Sequence, residues 1–233
     1  MFALDTIERL LDYYGGRSLW KEVKEVFKSE GVPWRERNFR SPFQNLVAVI
    51  LSQNTSDKNS TRAYIGLLKK FGKITPETLK KARVEEIREA IRPGGLYNLK
   101  ARRLKELAEI FDKINIKKLK RMGREEARKE LMRIKGIGQK SADVFLNYVL
   151  GKPSFPIDTN IKRVVRRLGW VGEKASYEEM RKVLESKIPK KLWGKAHELL
   201  IRLGRDLCKP KNPKCGECLI REFCEFGKRY KRG

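Results

Sequence analysis

Four cysteines near the C-terminal end of the 233-residue chain are the residues whose type and spacing point most directly to chemistry. Six, two and five residues separate them in turn, and they are Cys208, Cys215, Cys218 and Cys224. Four thiolates complete the ligand set of a tetrahedral zinc ion or of a [4Fe–4S] cluster. Two disulfides are the alternative, but residues 1–5 do not begin a secretory signal and reducing cytosol disfavours disulfides. The cysteines therefore predict a metal centre, and their number alone does not choose iron–sulfur over zinc.

A pair of glycines, Gly136 and Gly138, forms a second chemical feature. They lie between a helical pattern that ends near residue 133 and an apolar helix predicted over 142–150. Glycine lets the backbone turn tightly and approach a ligand closely. The N–H groups at the start of the following helix then point toward an anion such as a DNA phosphate. An ordinary helix–helix turn is the alternative, but the charge of the chain favours a hairpin that binds phosphate.

Lys and Arg number 55 against 29 Asp and Glu, so the formal net charge is +26. The charged surface of a thermophile is enriched in both signs and does not explain the excess of one. An excess of this size favours a polyanionic partner, most often nucleic acid. A membrane surface is the rival, but the sequence has no apolar run of 18 residues and no lipidation signal. The composition therefore predicts a soluble, intracellular protein that binds nucleic acid.

Helical periodicity runs through nearly the whole chain, and helices must therefore position these residues. The apolar stretch 43–51 is too continuous for an exposed face, so we expect a buried helix there. No alternating strand pattern of useful length occurs, and the sequence predicts an all-α protein. The predicted helices span residues 4–14, 18–30, 43–51, 57–71, 76–91, 98–114, 123–133, 142–150, 158–168, 176–187 and 189–204.

These features together resemble the endonuclease III superfamily of DNA glycosylases. Residues 131–142, Leu-x4-Gly-x-Gly-x-Lys-x-Ala, are similar to its helix-hairpin-helix, and residues 157–160 to its loop that ends in an aspartate. The three gaps between the cysteines match its cluster loop. Residues 51–57 and 95–101 resemble two DNA-intercalating segments, so the resemblance covers about residues 40–227.

The resemblance implies a [4Fe–4S] cluster held by the four cysteines, and two helical domains that flank a DNA-binding cleft. Residues 1–40 are expected to pack with the cluster domain. Residues 41–150 are expected to form a helical barrel domain, with the helix-hairpin-helix at about 131–150. Residues 151–233 would form the loop of the catalytic aspartate and the cluster domain. The expected setting is the cytoplasm of a prokaryote, where the protein acts as a monomer on nucleoid DNA.

Lys140 and Asp158 are the catalytic residues that the resemblance implies. A lysine amine can attack the sugar C1′, expel the base and form a Schiff base, which permits β-elimination of the 3′ phosphate. A carboxylate can stabilise the positive charge that develops on the sugar. The residues alone leave alternatives open, namely a phosphate contact for Lys140 and a helix N-cap for Asp158.

Asn54 (or its neighbour Gln53) and Leu96 match the wedge positions of the family, whose side chains fill the space that a flipped base leaves. The alternatives are a cap before the helix near residue 57 for Asn54, and simple core for Leu96. The other predicted DNA-binding residues are Gly136, Gly138 and Gln139. The predicted base-pocket residues are Gln53, Asp57 and Asn160.

Asn160 departs from the pyrimidine-specific branch of the family, where Asp-Thr-His is common. Asparagine there looks more like the adenine-mismatch and thymine-mismatch branches, which often lack the lysine that this chain keeps at Lys140. We therefore predict a bifunctional glycosylase and AP lyase that acts on oxidised or otherwise damaged pyrimidines in double-stranded DNA. The alternatives are a monofunctional glycosylase for mismatched, deaminated or alkylated bases, and a non-catalytic DNA-binding metalloprotein.

Overall fold

A computed structural model of the chain describes residues 3–15, 20–36 and 41–230. Within these ranges the regular elements are helices and no strand occurs, so the prediction of an all-α protein is confirmed. None of the described helices is both long enough and apolar enough to cross a membrane. The α-helices are α1 (Ala3–Tyr14), α2 (Trp20–Ser29), α3 (Pro42–Ser52), α4 (Asp57–Phe71), α5 (Pro76–Lys81), α6 (Val84–Ala90), α7 (Tyr97–Ile110), α8 (Ile116–Arg121), α9 (Arg124–Met132), α10 (Gln139–Phe145), α11 (Thr159–Arg167), α12 (Tyr177–Lys187), α13 (Trp193–Asp206) and α14 (Glu225–Arg229).

The helix predicted over 76–91 is two helices, α5 and α6. Ala82 adopts an extended backbone with φ −65° and ψ 140°, which ends α5. The N–H of Arg83 donates to the carboxylate of Glu86 at 2.9 Å, so a new helix begins one residue later. Side-chain capping therefore interrupts a periodicity that looked continuous in the sequence.

Other boundaries also differ from the predicted ones. The apolar helix predicted over 142–150 starts earlier, as α10, and continues as a π-helix at Leu146–Leu150. The last long helix, α13, begins at Trp193 after a 3₁₀ turn rather than at 189. Two short helices, α8 and α14, were not predicted, since six and five residues show little periodicity. Residues 18 and 19 of the helix predicted over 18–30 lie outside the described residues.

The chain divides into two compact units, one of Trp20–Lys152 and one that combines Met1–Leu19 with Pro153–Gly233. The core of the Trp20–Lys152 unit forms around α3, whose apolar stretch is buried as expected. Helix α2 belongs to this unit and not, as predicted, with the C-terminal segment. The reason is its apolar face, since Val26 and Phe27 are buried in that core and the ring of Phe27 meets Trp34 edge-on at 5.3 Å.

The second unit has a core of its own, built by α1, α11, α12 and α13. Ile7 and Leu10 of α1 are fully buried there together with Leu200 of α13. The segment that contains the cysteines follows α13 directly and packs against the same core. The N-terminal helix is thus part of the unit that carries the cysteines.

Candidate active site and metal centre

The hairpin between α9 and α10 differs at its two glycines. Gly136 has φ +88°, a left-handed conformation that disfavours other residues, whereas Gly138 is extended with φ −90° and ψ −177°. A Cβ atom added to Gly138 would meet nothing within 4 Å. No contact with a described residue therefore demands glycine at position 138, and the space beside its backbone is open to a ligand.

A buried ion pair joins the two helices of the hairpin. Arg128 of α9 donates through Nε to Oδ1 of Asp143 in α10 at 2.8 Å, and their side chains are 4% and 0% exposed. Such a pair holds α9 and α10 in one arrangement, because separating the partners would leave each charge buried without its counterion. We did not predict it, although an aspartate inside an apolar helix was an available signal.

Lys140 is the second residue of α10, and its side chain is half-buried. Its position follows from the hairpin, because the helix begins immediately after Gly138. The first N–H groups of any α-helix have no partner within the helix. Lys140 and these N–H groups therefore belong to the same first turn.

Gln53 joins the end of α3 to the hairpin. Its Nε2 donates to the carbonyl of Gly136 at 3.0 Å, and Arg103 of α7 donates to its Oε1 at 2.8 Å. The side chain predicted for the base pocket is thus engaged inside the Trp20–Lys152 unit. It supports the hairpin at the residue with positive φ.

Asn54 and Leu96 share an unusual backbone. Their φ angles are 51° and 47°, and both side chains are exposed, that of Leu96 by 52%. Leu96 is therefore not part of the core, and Asn54 is not the cap of α4, since the side chain of Ser56 accepts from the N–H of Asn59. Asp57, also predicted for the base pocket, is the first residue of α4 and half-buried.

Lys100 was not among the predicted site residues. It is 1% exposed, and its ammonium donates to the carbonyls of Leu51 and Gly94, each at 2.8 Å. Burial lowers the pKa of Lys100 to about 8. The signal in the sequence is its place on the buried face of α7, four residues before Leu104.

Asp158 is the N-cap of α11 in the second unit. Its Oδ1 accepts from the N–H of Ile161 at 2.7 Å, and its Oδ2 accepts from Nδ2 of Asn160 at 3.0 Å. The structure therefore agrees with the capping alternative and leaves a catalytic role open, because each carboxylate oxygen has a second lone pair.

Asn160 and Arg163 extend the hydrogen bonds around Asp158. Arg163 donates through Nη2 to Oδ1 of Asn160 at 2.9 Å and through Nε to the carbonyl of Cys208 at 2.8 Å. Its Nη2 also donates to the carbonyl of Gly204 in α13 at 2.8 Å. The amide of Asn160 thus orients the aspartate, and the predicted place of Asn160 in the base pocket stays a prediction.

All four cysteines line one cavity and form no disulfide. Arg167 and Arg221 also line it, and Arg167 stacks over Phe226 and donates to the carbonyl of Lys209 at 2.8 Å. Two guanidinium groups suit an anionic centre. The apolar residues in the wall come from α11, α13, α14 and the segments next to them, and they are Val164, Leu168, Leu203, Leu207, Ile220 and Phe226.

The arrangement of the thiols bears on the two metal centres that the sequence left open. Among the described residues, no three His, Cys, Asp or Glu side chains are close enough to share one metal ion. A zinc site needs all its ligands within about 2.3 Å of one ion, whereas each cysteine of a [4Fe–4S] cluster can bind a different iron. Four thiols that line one cavity are a ligand set that a [4Fe–4S] cluster can use.

Burial controls the protonation of these thiols. It is the main cause that raises the pKa of Cys218 to about 11, and the neighbouring Cys224, Cys208 and Cys215 contribute to the same shift. The pKa of Cys215 is also raised by burial, and Arg167 and Arg221 oppose that shift. Metal binding requires thiolates, so incorporation of the cluster must displace protons from this cavity.

Comparison with known proteins identifies the family of this chain. Residues 47–190 match the HhH-GPD superfamily base excision DNA repair protein, and residues 208–224 match the iron–sulfur binding domain of endonuclease III. Endonuclease III of Sulfolobus acidocaldarius is 37% identical over 210 residues, 90% of this chain and 92% of the relative. Endonuclease III of Thermotoga maritima is 34% identical over 200 residues, 85% and 90% of the two chains.

A solved structure is similar over nearly the same length. The trapped covalent intermediate of an endonuclease III with DNA superposes with a TM-score of 0.70 at 32% identity, over 88% of this chain and 93% of that one. The match over 208–224 runs from the first to the last cysteine. The prediction of a [4Fe–4S] cofactor is confirmed.

Proposed function

We propose a function that starts from the family, because this chain belongs to the HhH-GPD superfamily of base excision DNA repair proteins and, within it, to the endonuclease III family. It is a DNA glycosylase with AP lyase activity, and it binds DNA. Its substrate is a duplex that contains an oxidised or otherwise damaged pyrimidine, or the abasic site left after base loss. The enzyme acts as a monomer on the nucleoid DNA of a prokaryotic cell.

Lys140 is the nucleophile in this proposal, and its place in the first turn of α10, beside the hairpin, is the observation that carries it. The amine attacks the sugar C1′, and the bond from C1′ to the base breaks as the base leaves with the electron pair. Ring opening then gives an imine between C1′ and the lysine nitrogen. The imine acidifies the neighbouring C2′, and loss of a C2′ proton expels the 3′ phosphate and nicks the strand.

Asp158 supports base departure. As C1′ loses the base, positive charge develops on the sugar, and a fixed carboxylate nearby lowers the energy of that transition state. The hydrogen bonds from Ile161 and Asn160 hold both oxygens in place before the reaction begins. The carboxylate therefore needs little reorganisation at the moment when charge appears.

The hairpin binds the DNA backbone in this proposal. Its support is the open space beside Gly138, where a phosphate can approach the N–H groups of Gly138 and Gln139 without a side chain in the way. Asn54 and Leu96 enter the gap left by the extruded base. Exposure of both side chains on fixed backbones supports this role. The four cysteines ligate the [4Fe–4S] cluster.

Borohydride trapping tests the central step. A duplex with one oxidised thymine is incubated with enzyme and borohydride, which reduces the imine to a stable amine and leaves protein covalently attached to DNA. The wild-type protein should trap and nick, and Lys140→Gln should do neither, because it has no amine at that position. Lys135→Gln is the matched control, since this exposed lysine precedes the hairpin and pairs with Glu106 at 2.9 Å.

Two outcomes would change the proposal. Trapping by Lys140→Gln at the wild-type rate would mean that another amine is the nucleophile. Base release by the wild-type protein without trapping or nicking would favour the monofunctional alternative.

A further inference from the structure

Lys100 connects the two segments that carry Asn54 and Leu96. Its ammonium donates to the carbonyl of Leu51, in the last turn of α3, and to the carbonyl of Gly94, at the end of the 3₁₀ turn Arg92–Gly94. Asn54 lies three residues after the first acceptor, and Leu96 lies two residues after the second. One buried side chain therefore ties together the backbones that lead into both exposed residues.

Both exposed residues have conformations that need support. A left-handed backbone is unfavourable for a residue with a Cβ, and leucine has no polar side chain to offset that cost. Leu96 is 52% exposed, so packing of its own side chain does little to hold it. Strained backbone persists only where the surrounding structure determines it. Here the fixed points are the carbonyl of Gly94 and the hydrogen bond from the N–H of Lys100 to the carbonyl of Leu96 at 2.9 Å.

The ammonium is costly at this position. It is buried, it donates to two neutral carbonyls, and burial lowers its pKa to about 8. A methionine of similar length would fill the same volume without a charge, but it could not join two carbonyls. What lysine provides here, and methionine would not, is the pair of hydrogen bonds to the two segments.

We propose that Lys100 is a positioning residue that holds the segments of Asn54 and Leu96 in their inserting conformations, and so sets the preference of the enzyme for DNA with an extruded base. This inference rests on the proposed insertion of Asn54 and Leu96. It assigns a role in substrate selection to a buried side chain that never touches the DNA.

The test compares Lys100→Met with Lys105→Met. Lys105 lies on the same helix and also donates to two backbone carbonyls, those of Lys80 and Ala82, but it does not contact either segment through them. Dissociation constants are measured for a duplex with one tetrahydrofuran abasic analogue and for the same duplex undamaged. We expect Lys100→Met to reduce the ratio of the two affinities at least tenfold, mainly by weakening the abasic complex, and Lys105→Met to leave it within twofold.

The ratio separates positioning from loss of fold. Misfolded protein lowers the active fraction for both duplexes alike and leaves the ratio unchanged. An unchanged ratio for Lys100→Met would therefore overturn the inference. Lys100→Gln, which keeps a donor on a shorter side chain, should recover part of the preference, and a value equal to that of Lys100→Met would count against a hydrogen-bonding role.

A Leu96→Ala variant distinguishes this inference from the function on which it rests. If Lys100 acts through Leu96, then Leu96→Ala alone should reduce the preference, and it should reduce it far less in the Lys100→Met background. Full additivity would overturn the positioning role and leave the inserting role of Leu96 intact. No effect of Leu96→Ala in either background would instead contradict insertion, while borohydride trapping would still test the chemistry separately.

Discussion

Asn160 shows how one side chain acquires a role that its position in a motif does not reveal. The residue departs from the commoner histidine of the pyrimidine-specific branch, and we interpreted it as a base-pocket residue. Its amide instead lies between Arg163 and Asp158. Asparagine can accept from a guanidinium and donate to a carboxylate at the same time, so it fixes the orientation of the aspartate. The amide therefore acts on Asp158, and whether it also contacts a base remains a prediction.

We predict that Asn160→Ala slows base release by about tenfold at saturating enzyme, since one hydrogen bond to a charged group is worth about 1.5 kcal/mol. The cap of α11 should survive, because the N–H of Ile161 still donates to Asp158. Single-turnover release of an oxidised thymine measures the effect. Borohydride trapping on preformed abasic DNA is the control and should change little. Equal losses in both assays would argue against a specific role in base release.

Lys100 should make the free energy of unfolding depend on pH. Its pKa falls from 10.5 to about 8 on folding, so between these values the unfolded chain binds more protons than the folded one. The contribution of Lys100 to stability is therefore present above pH 10.5 and is lost as the pH falls to about 8. Between pH 7.5 and 9.5, the wild-type protein should gain about 2 kcal/mol relative to Lys100→Met in urea unfolding. A difference that is constant over this interval would contradict the prediction.

The two glycines of the helix-hairpin-helix have different structural roles. Gly136 is needed by the fold, because its φ of +88° is a conformation that residues with a Cβ rarely adopt. Gly138 has an ordinary extended backbone and open space beside it. The same Gly-x-Gly motif thus contains one residue that shapes the turn and one that leaves room for a ligand.

Alanine substitutions should separate these uses. Gly138→Ala should leave the melting temperature nearly unchanged and weaken binding to undamaged duplex DNA by about tenfold, through obstruction of the phosphate. Gly136→Ala should instead destabilise the fold by about 1–2 kcal/mol, because alanine disfavours positive φ. Thermal melts and fluorescence anisotropy with a labelled duplex give the two readouts. If Gly138→Ala binds DNA normally, the hairpin is only a turn.

The cysteine loop is the second element with a testable role. Purified protein should be yellow-brown with absorption near about 400 nm, and Cys218→Ser should lose most of its iron and this absorption. The same change should lower the melting temperature, because the cavity wall includes α11 and α13 of the second core. Lys211→Ala is the control, since this exposed residue lies in the loop and does not line the cavity. Colourless protein with one zinc and no iron would contradict the assignment.

For the whole molecule, the net charge of +26 governs how DNA is found and held. Lysine and arginine that neutralise phosphates release condensed counterions, and affinity then falls as salt rises. The charge belongs to the whole surface, so it favours association with any duplex. The charge therefore does not distinguish damaged from undamaged DNA, and the proposed preference for damaged DNA rests on local features such as the proposed insertion of Asn54 and Leu96.

We predict that the logarithm of the affinity for undamaged duplex falls with the logarithm of salt concentration, with a slope of about −4 to −7. That slope corresponds to neutralisation of about five to eight phosphates. Anisotropy titrations from about 50 to 300 mM salt measure it. Affinity that stays constant across this range would show that electrostatics do not dominate binding.

Many features of this protein can be predicted from the sequence, because they are formed by residues that are close together in the chain. Helical periodicity predicts most of the helices, because the pattern records which face of each helix is apolar. The gaps between the cysteines and the order Gly136, Gly138, Lys140 predict a metal loop and a hairpin, because those residues meet through short stretches of chain. The positions of Lys140 and Asp158 in their motifs were also available, although their catalytic roles remain predictions.

Features that depend on which helices pack together could be seen only in the folded structure. The contacts of Lys100 with Leu51 and Gly94 bring together residues 49 and 6 positions away. The bridge from Gln53 to Gly136 spans 83 positions. A buried polar side chain must find partners wherever the fold supplies them, and sequence periodicity records burial without recording the partner. The structure therefore revealed how the site is held, whereas the sequence had already indicated which chemistry it performs.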